Sequence, residues 1–117
     1  MSKTTMELVQ AAKEMITEIT AEQANEMLAQ GSSALLDVRE LLEYEMGAIP
    51  NAHHISRGLL EFAIGHHPEF QDKDGAIIVY CKSGGRSALA AATLQQLGFS
   101  NVHSIIGGYD VWRDLEK

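Results

Sequence analysis

The chain has 117 residues, of which 45% are hydrophobic, and its 9 Lys plus Arg against 16 Asp plus Glu give a formal charge of −7. That length is one domain with enough apolar content for a core, while the acidity argues against general nucleic-acid binding or adhesion to an anionic membrane surface. A single cysteine, Cys81, excludes an intramolecular disulfide and any thiolate metal cluster, and no apolar run approaches the ~20 residues of a membrane span.

The N-terminal MSKTTMELVQ has neither the apolar stretch nor the cleavage site of a secretory signal. A reduced, soluble compartment is the expectation, and the cytoplasm is its simplest form. Residues 5–15 read as a helix with Met6, Val9, Met15 and Ile16 on roughly one face and Thr5 as its cap. That face is expected to lie against the domain, with a dimer contact left open. Ile16 to Ile19 is a short strand candidate. Thr20 and Gln23 have the spacing of a capping box, opening a helix that Gly31 closes. Ala34 to Val38 is a buried strand ending near Asp37, Glu40 to Met46 a short helix stopped by Gly47, and His54 to Ser56 another short strand. Leu59 to Ile64 is a helical turn or two, and 65–75 is loop-like.

Ala76-Ile-Ile-Val-Tyr80 is a continuous apolar run that suits a central parallel strand buried on both faces. Ser87 to Leu97 is an Ala- and Leu-rich helix ending at Gly98, Val102 to Ile106 a strand, and Gly108 to Glu116 a last helix. Alternation of this kind predicts an α/β fold, a central and mostly parallel sheet flanked by helices. Ligands of such folds bind at the carboxyl ends of strands.

At the carboxyl end of the most strand-like run stands Cys81-Lys-Ser-Gly-Gly-Arg-Ser87, followed directly by a helix. The N–H groups at a helix start favour a thiolate over a thiol. Gly84 and Gly85 allow backbone angles at which successive N–H groups converge on one point. Lys82 and Arg86 add cationic donors, and Ser87 is placed to cap the helix. Cys81 is then a nucleophile, with Lys82, Ser83, Gly84, Gly85, Arg86 and Ser87 as the substrate cradle. A free cysteine is commonly an inert core residue. What outweighs that here is the coincidence of nucleophile, glycines, cations and helix start at the place the fold selects.

These residues resemble the rhodanese family of sulfurtransferases, in its single-domain form. Leu35-Leu-Asp-Val-Arg-Glu40, Glu43-Tyr44 and Gly47-Ala-Ile-Pro-Asn-Ala52 are similar to its first block, Cys81 to Ser87 to its active-site loop, and Gly107-Gly-Tyr-Asp-Val-Trp112 to its closing block. His54 to Phe62 also resembles a stretch of some single-domain members. The resemblance covers about 16–117 and implies a rhodanese domain there, with 1–15 as an N-terminal helical extension. It implies that Cys81 takes a sulfane sulfur from a thiosulfate-like anion, holds it as a persulfide, and yields it to a thiol, a protein acceptor or cyanide, without cofactor or metal. The chain has Gly47-Ala-Ile-Pro-Asn-Ala52 where the family usually has Gly-His-Ile-Pro-Gly-Ala. Cysteine phosphatases, including rhodanese-like ones, place five residues between Cys and Arg. Cys81 and Arg86 have four between them, a smaller ring that suits a sulfur anion better than a phosphate ester. Arsenate reductase or phosphatase chemistry, and a non-catalytic interaction module, are the alternatives.

Three further residues are candidates for support. Asp37 and Arg39 end a second parallel strand, Asp37 to hydrogen-bond the loop and Arg39 to orient Asp37 or support the anion; a structural ion pair is the competing reading. Arg57 is a candidate for the pocket rim. The adjacent pairs His53-His54 and His66-His67, with His103 apart, lack the spacing of a metal site. Trp112 is expected in the core.

Overall fold

The computed structural model describes residues 2–115. Five strands, β1 (Thr17–Ile19), β2 (Ser33–Asp37), β3 (His53–His54), β4 (Ala76–Tyr80) and β5 (Val102–Ile105), form one sheet in the order β1-β5-β4-β2-β3. Every pairing is parallel. The helices are α1 (Thr5–Met15), α2 (Ala21–Ala29), α3 (Leu41–Met46), α4 (Leu60–Ala63), α5 (Gly85–Gln96) and α6 (Gly108–Leu115). Among the described residues, no helix is long and apolar enough to cross a membrane.

The alternation of β4 divides the core. Ile77 and Val79 face a cluster with Leu36, Leu60, Ala91 and Leu94, and Cys81 continues that side. Ile78 and Tyr80 face the other cluster, with Leu35, Ala24, Ile105 and Trp112. Trp112 is therefore core, as expected, and its indole N–H donates to Asn25 Oδ1 at 2.9 Å.

Several boundaries differ from the sequence reading, each for a local reason. Helix α1 is capped by Thr4, not Thr5: Thr4 Oγ1 accepts from Glu7 N at 3.1 Å and Thr4 N donates to Glu7 Oε1 at 2.9 Å, a complete capping box. Its packed side is Val9, Ala12 and Ile16 against α5, while Met6 and Met15 are exposed. The box at Thr20 and Gln23 forms as expected. Strand β3 starts one residue before the expected segment and ends two residues before its end, and the expected loop 65–75 holds the 3₁₀ turn Pro68–Phe70 and overlaps another, Ile64–His66. Helix α5 starts two residues early, because Gly84 takes the cap position; Ser87 lies inside the helix and does not cap it. The expected helix end at Glu116 lies outside the described residues. Asn51 adopts φ 71°, a left-handed conformation that Asn tolerates better than most residues.

Ile78 is fully buried at the sheet centre, whereas Leu42 on α3 is 68% exposed. Ile78→Ala is expected to lower unfolding free energy by ~2–5 kcal/mol, and Leu42→Ala by no more than ~0.5 kcal/mol. Urea titration of both variants checks the contrast.

Candidate active site

The sheet order fixes where the site lies. Strands β2 and β4 are neighbours, with Asp37 in register with Tyr80. Beyond them the chain moves apart, to β3 on one side and β5 on the other. A crevice opens at such a switch point, at the carboxyl ends of the diverging strands. The segment 81–87 leaves β4 into that crevice.

Cys81 is 1% exposed. Its Sγ accepts a hydrogen bond from the backbone N–H of Gly84 at 3.1 Å. Gly84 has φ +113°, a conformation that side chains other than Gly rarely adopt. That turn is what directs its N–H, at the start of α5, onto the sulfur. One turn into the helix, the buried Ser87 Oγ lies 3.6 Å from Sγ. It donates to the Gly84 carbonyl at 3.3 Å and accepts from Ser104 Oγ of β5 at 2.9 Å. The loop's carbonyls go the other way. The Cys81 carbonyl accepts from Tyr109 N at 2.8 Å and the Lys82 carbonyl from Asp110 N at 3.1 Å, both in the first turn of α6. This close approach requires Gly108. A Cβ there would collide with the Cys81 carbonyl oxygen and stand 2.7 Å from that of Lys82.

The loop's cations do not stand free. Lys82 Nζ pairs with Asp110 Oδ2 at 2.9 Å, and Arg113 joins the same carboxylate at 3.3 Å. Arg86 is bound in two-pronged fashion by Glu43, at 2.6 and 3.0 Å. The Arg86 hydrogen bonds hold the Glu43 carboxyl down at about 2, against the smaller effect of burial. Reciprocally, Glu43 raises Arg86 above the ordinary guanidinium value. A cleft of about 310 Å³ borders the loop, lined by Arg39, Glu43, Met46, Lys82, Tyr109 and Arg113 among others.

Asp37 and Arg39 form a buried ion pair. Arg39 N and Nε donate to Asp37 Oδ1, and its terminal nitrogen donates to Asp37 Oδ2 at 2.7 Å and to the Gly47 carbonyl at 2.6 Å. The guanidinium lies 4.5 Å from the centre of the Tyr109 ring. Burial first, and then Asp37, push the Tyr80 phenol well above its ordinary value; its oxygen accepts from Ile49 N at 3.1 Å. Asp37 thus anchors Arg39 and the segment after α3, rather than the loop as expected from sequence. Arg57 bonds Glu61 at 3.1 Å and Thr93 at 3.0 Å, two helical turns beyond Arg86, so it braces α5 away from the sulfur. Ser83 is exposed at the outer edge of the loop, and Gly85 opens α5 beneath α1, near Val9. Glu43, Asp110, Gly108 and Ser104 belong to the site but escaped the sequence reading of individual residues. The Gly107-Gly108 doublet and a fully buried strand serine, Ser104 of β5, were the available signals.

Comparison with known proteins agrees with this fold. A Rhodanese-like domain profile matches residues 20–115. A structure from Rhodopseudomonas palustris, described as a protein of unknown function and "possible tyrosine phosphatase", is 32% identical over 99% of this chain and 93% of its own, with a TM-score of 0.89. The human single domain sulfurtransferase TSTD1 is 26% identical over 86% of this chain and 97% of its own, with a TM-score of 0.78. A rhodanese-related protein from Thermoplasma volcanium is 30% identical over 85% and 92%, with a TM-score of 0.74.

Two outcomes follow from the geometry. Gly108→Ala is expected to cost ~1–3 kcal/mol through backbone strain and displacement of the loop, whereas Gly65→Ala, with open space around its Cα, stays within ~0.5 kcal/mol; thermal unfolding measures both. The folded Glu43 carboxyl lies below its ordinary value of 4.5, at about 2. Its pairing with Arg86 therefore stabilises the fold fully above the unfolded value and is lost as pH falls through the folded one. A carbon-detected NMR titration is expected to place Glu43 near that low value and to return it toward 4.5 in Arg86→Leu.

Proposed function

The chain belongs to the rhodanese family, and from that premise we propose that it is a sulfurtransferase carrying a sulfane sulfur as a persulfide on Cys81. The observation that carries this reading is the Gly84 N–H aimed at Cys81 Sγ at 3.1 Å, at the start of a helix and at the switch point of the sheet. An amide so placed stabilises negative charge on sulfur, first as thiolate and then on the persulfide.

In the first half-reaction the Cys81 thiolate attacks the outer sulfur of the donor. The donor's sulfur–sulfur bond breaks, and its pair of electrons leaves with sulfite when the donor is thiosulfate. In the second, an acceptor thiolate or cyanide attacks the outer persulfide sulfur, and the bonding pair returns to Cys81. Ser87 supplies a hydroxyl beside the sulfur, and the remaining loop amides, from Lys82 to Arg86, complete the cradle. Asp37 and Arg39 hold the strand end and the segment after α3 beside the cradle, and Arg57 braces α5 farther from the sulfur. The chain has one cysteine, so it cannot resolve its persulfide internally and an external acceptor is obligatory. The reaction as written calls on no metal or organic cofactor. A lone reactive thiol of this kind suits a reducing compartment, and we place the protein in the cytoplasm.

The similarity to a possible tyrosine phosphatase raises a second reading. Two features weigh for sulfur. Only four residues separate Cys81 from Arg86, and the guanidinium that would grip a phosphoryl group is already held by Glu43.

Incubation with a sulfane-sulfur donor is expected to add the mass of one sulfur atom at Cys81, and cyanide or a thiol to remove it. Cys81→Ala is expected to abolish the adduct and turnover while remaining folded. Faster hydrolysis of an aryl phosphate than sulfur transfer would move the assignment to a phosphatase, and no adduct from any donor would make the chain an interaction module.

A further inference from the structure

We propose that Glu43 is a specificity residue of this site: by occupying Arg86 it selects against small dianionic donors such as thiosulfate and for donors whose sulfane sulfur arrives without a charged oxyanion group, that is, alkyl persulfides. The inference rests on the sulfurtransferase reading and concerns the donor.

The geometry is that of an internal substitute ligand. A sulfonate or phosphate group binds a guanidinium through two oxygens on two nitrogens. The Glu43 carboxylate already fills that place on Arg86, its two oxygens at 2.6 and 3.0 Å from the two terminal nitrogens. A dianion reaching for Arg86 must displace a carboxylate that remains charged beside it. Glu40 adds its negative field to the same guanidinium. The other cations at the cleft are committed as well: Lys82 and Arg113 to Asp110, and Arg39 to the buried Asp37. With a chain charge of −7 around it, the cleft offers little electrostatic steering to a dianion.

The two donors differ in the charge they gather at the sulfur. Cys81 thiolate and thiosulfate form a trianionic transition state that separates into the Cys81 persulfide anion and sulfite. Cys81 thiolate and a protonated alkyl persulfide form a monoanionic one that separates into the protonated Cys81 persulfide and an alkyl thiolate. In each case the sulfane sulfur moves to Cys81 and the leaving group takes the electron pair of the broken bond. The Gly84 N–H serves the Cys81 sulfur with either donor. Only the dianion also needs a free guanidinium, and Glu43 holds it.

The test measures second-order rates of sulfur loading on Cys81 by intact mass, with thiosulfate and with an alkyl persulfide that carries no carboxylate, for the wild-type chain and for Glu43→Gln. The wild type is expected to load faster from the persulfide, and its thiosulfate rate to fall little between low and high salt. Glu43→Gln, which keeps the shape and removes the charge, is expected to raise the thiosulfate rate relative to the persulfide rate by about tenfold or more, the worth of one charge-assisted contact. Glu43→Ser serves as a second variant if Glu43→Gln is poorly folded by circular dichroism; freeing Arg86 is expected to shift the ratio in the same direction. Equal rates from both donors in the wild type, or an unchanged ratio in the folded variants, overturn the role of Glu43 while sulfur loading still stands. No loading from either donor overturns the sulfurtransferase reading itself.

Discussion

A loop whose amide turns toward one sulfur atom has to send its carbonyls somewhere else. That requirement organises the site. The carbonyls of Cys81 and Lys82 are taken up by the first N–H groups of α6, which a helix start leaves without intrahelical partners. The Gly84 N–H is then free to point inward at Cys81 Sγ. Two helix N-termini meet at one loop, one donating to its carbonyls and the other facing its thiol. The contact is so close that only glycine fits at 108. The last block of the sequence and the cysteine loop are thereby a single structural unit, although nineteen residues lie between Ser87 and Gly107.

Much of this was legible from residues alone because it depends on local pattern. The run from Ala76 to Tyr80 is apolar at every position, and a parallel strand buried on both faces requires that. The capping box at Thr20 has side-chain donors and acceptors only three residues apart. What stayed hidden depends on pairs distant in sequence. Glu43 and Arg86 meet across 43 positions, and no spacing rule connects them. Asp37 was expected on the loop because it ends a strand beside it, yet Arg39 two residues on fills its carboxylate first. Helix α1 shows another limit. Its apolar periodicity named Met6 and Met15, but the residue that is buried is Ala12. A small side chain lets two helices approach closely, and hydropathy gives such a residue little weight.

The electrostatics of the cleft set this chain apart from what its loop sequence suggests. Lys82 and Arg86 read as a cationic cradle, yet each stands in an ion pair with an acid from another element. These pairs are partly exposed, so their contribution to stability is modest. Their larger consequence is for ligands, because an anion has to compete with a tethered carboxylate at high local concentration. The Gly84 amide, which carries no counter-ion, is then the backbone donor that faces the sulfur.

On the proposed function the Gly84 amide, which donates to Cys81 Sγ, stays on the sulfur through loading, and the NMR resonance of that amide reports on it directly. Titrating the ¹⁵N-labelled protein with a sulfane-sulfur donor should move the Gly84 amide signal in step with the gain of one sulfur by mass, and cyanide should restore both. Loading of sulfur at Cys81 with the Gly84 resonance unmoved would show that this amide does not serve the loaded sulfur.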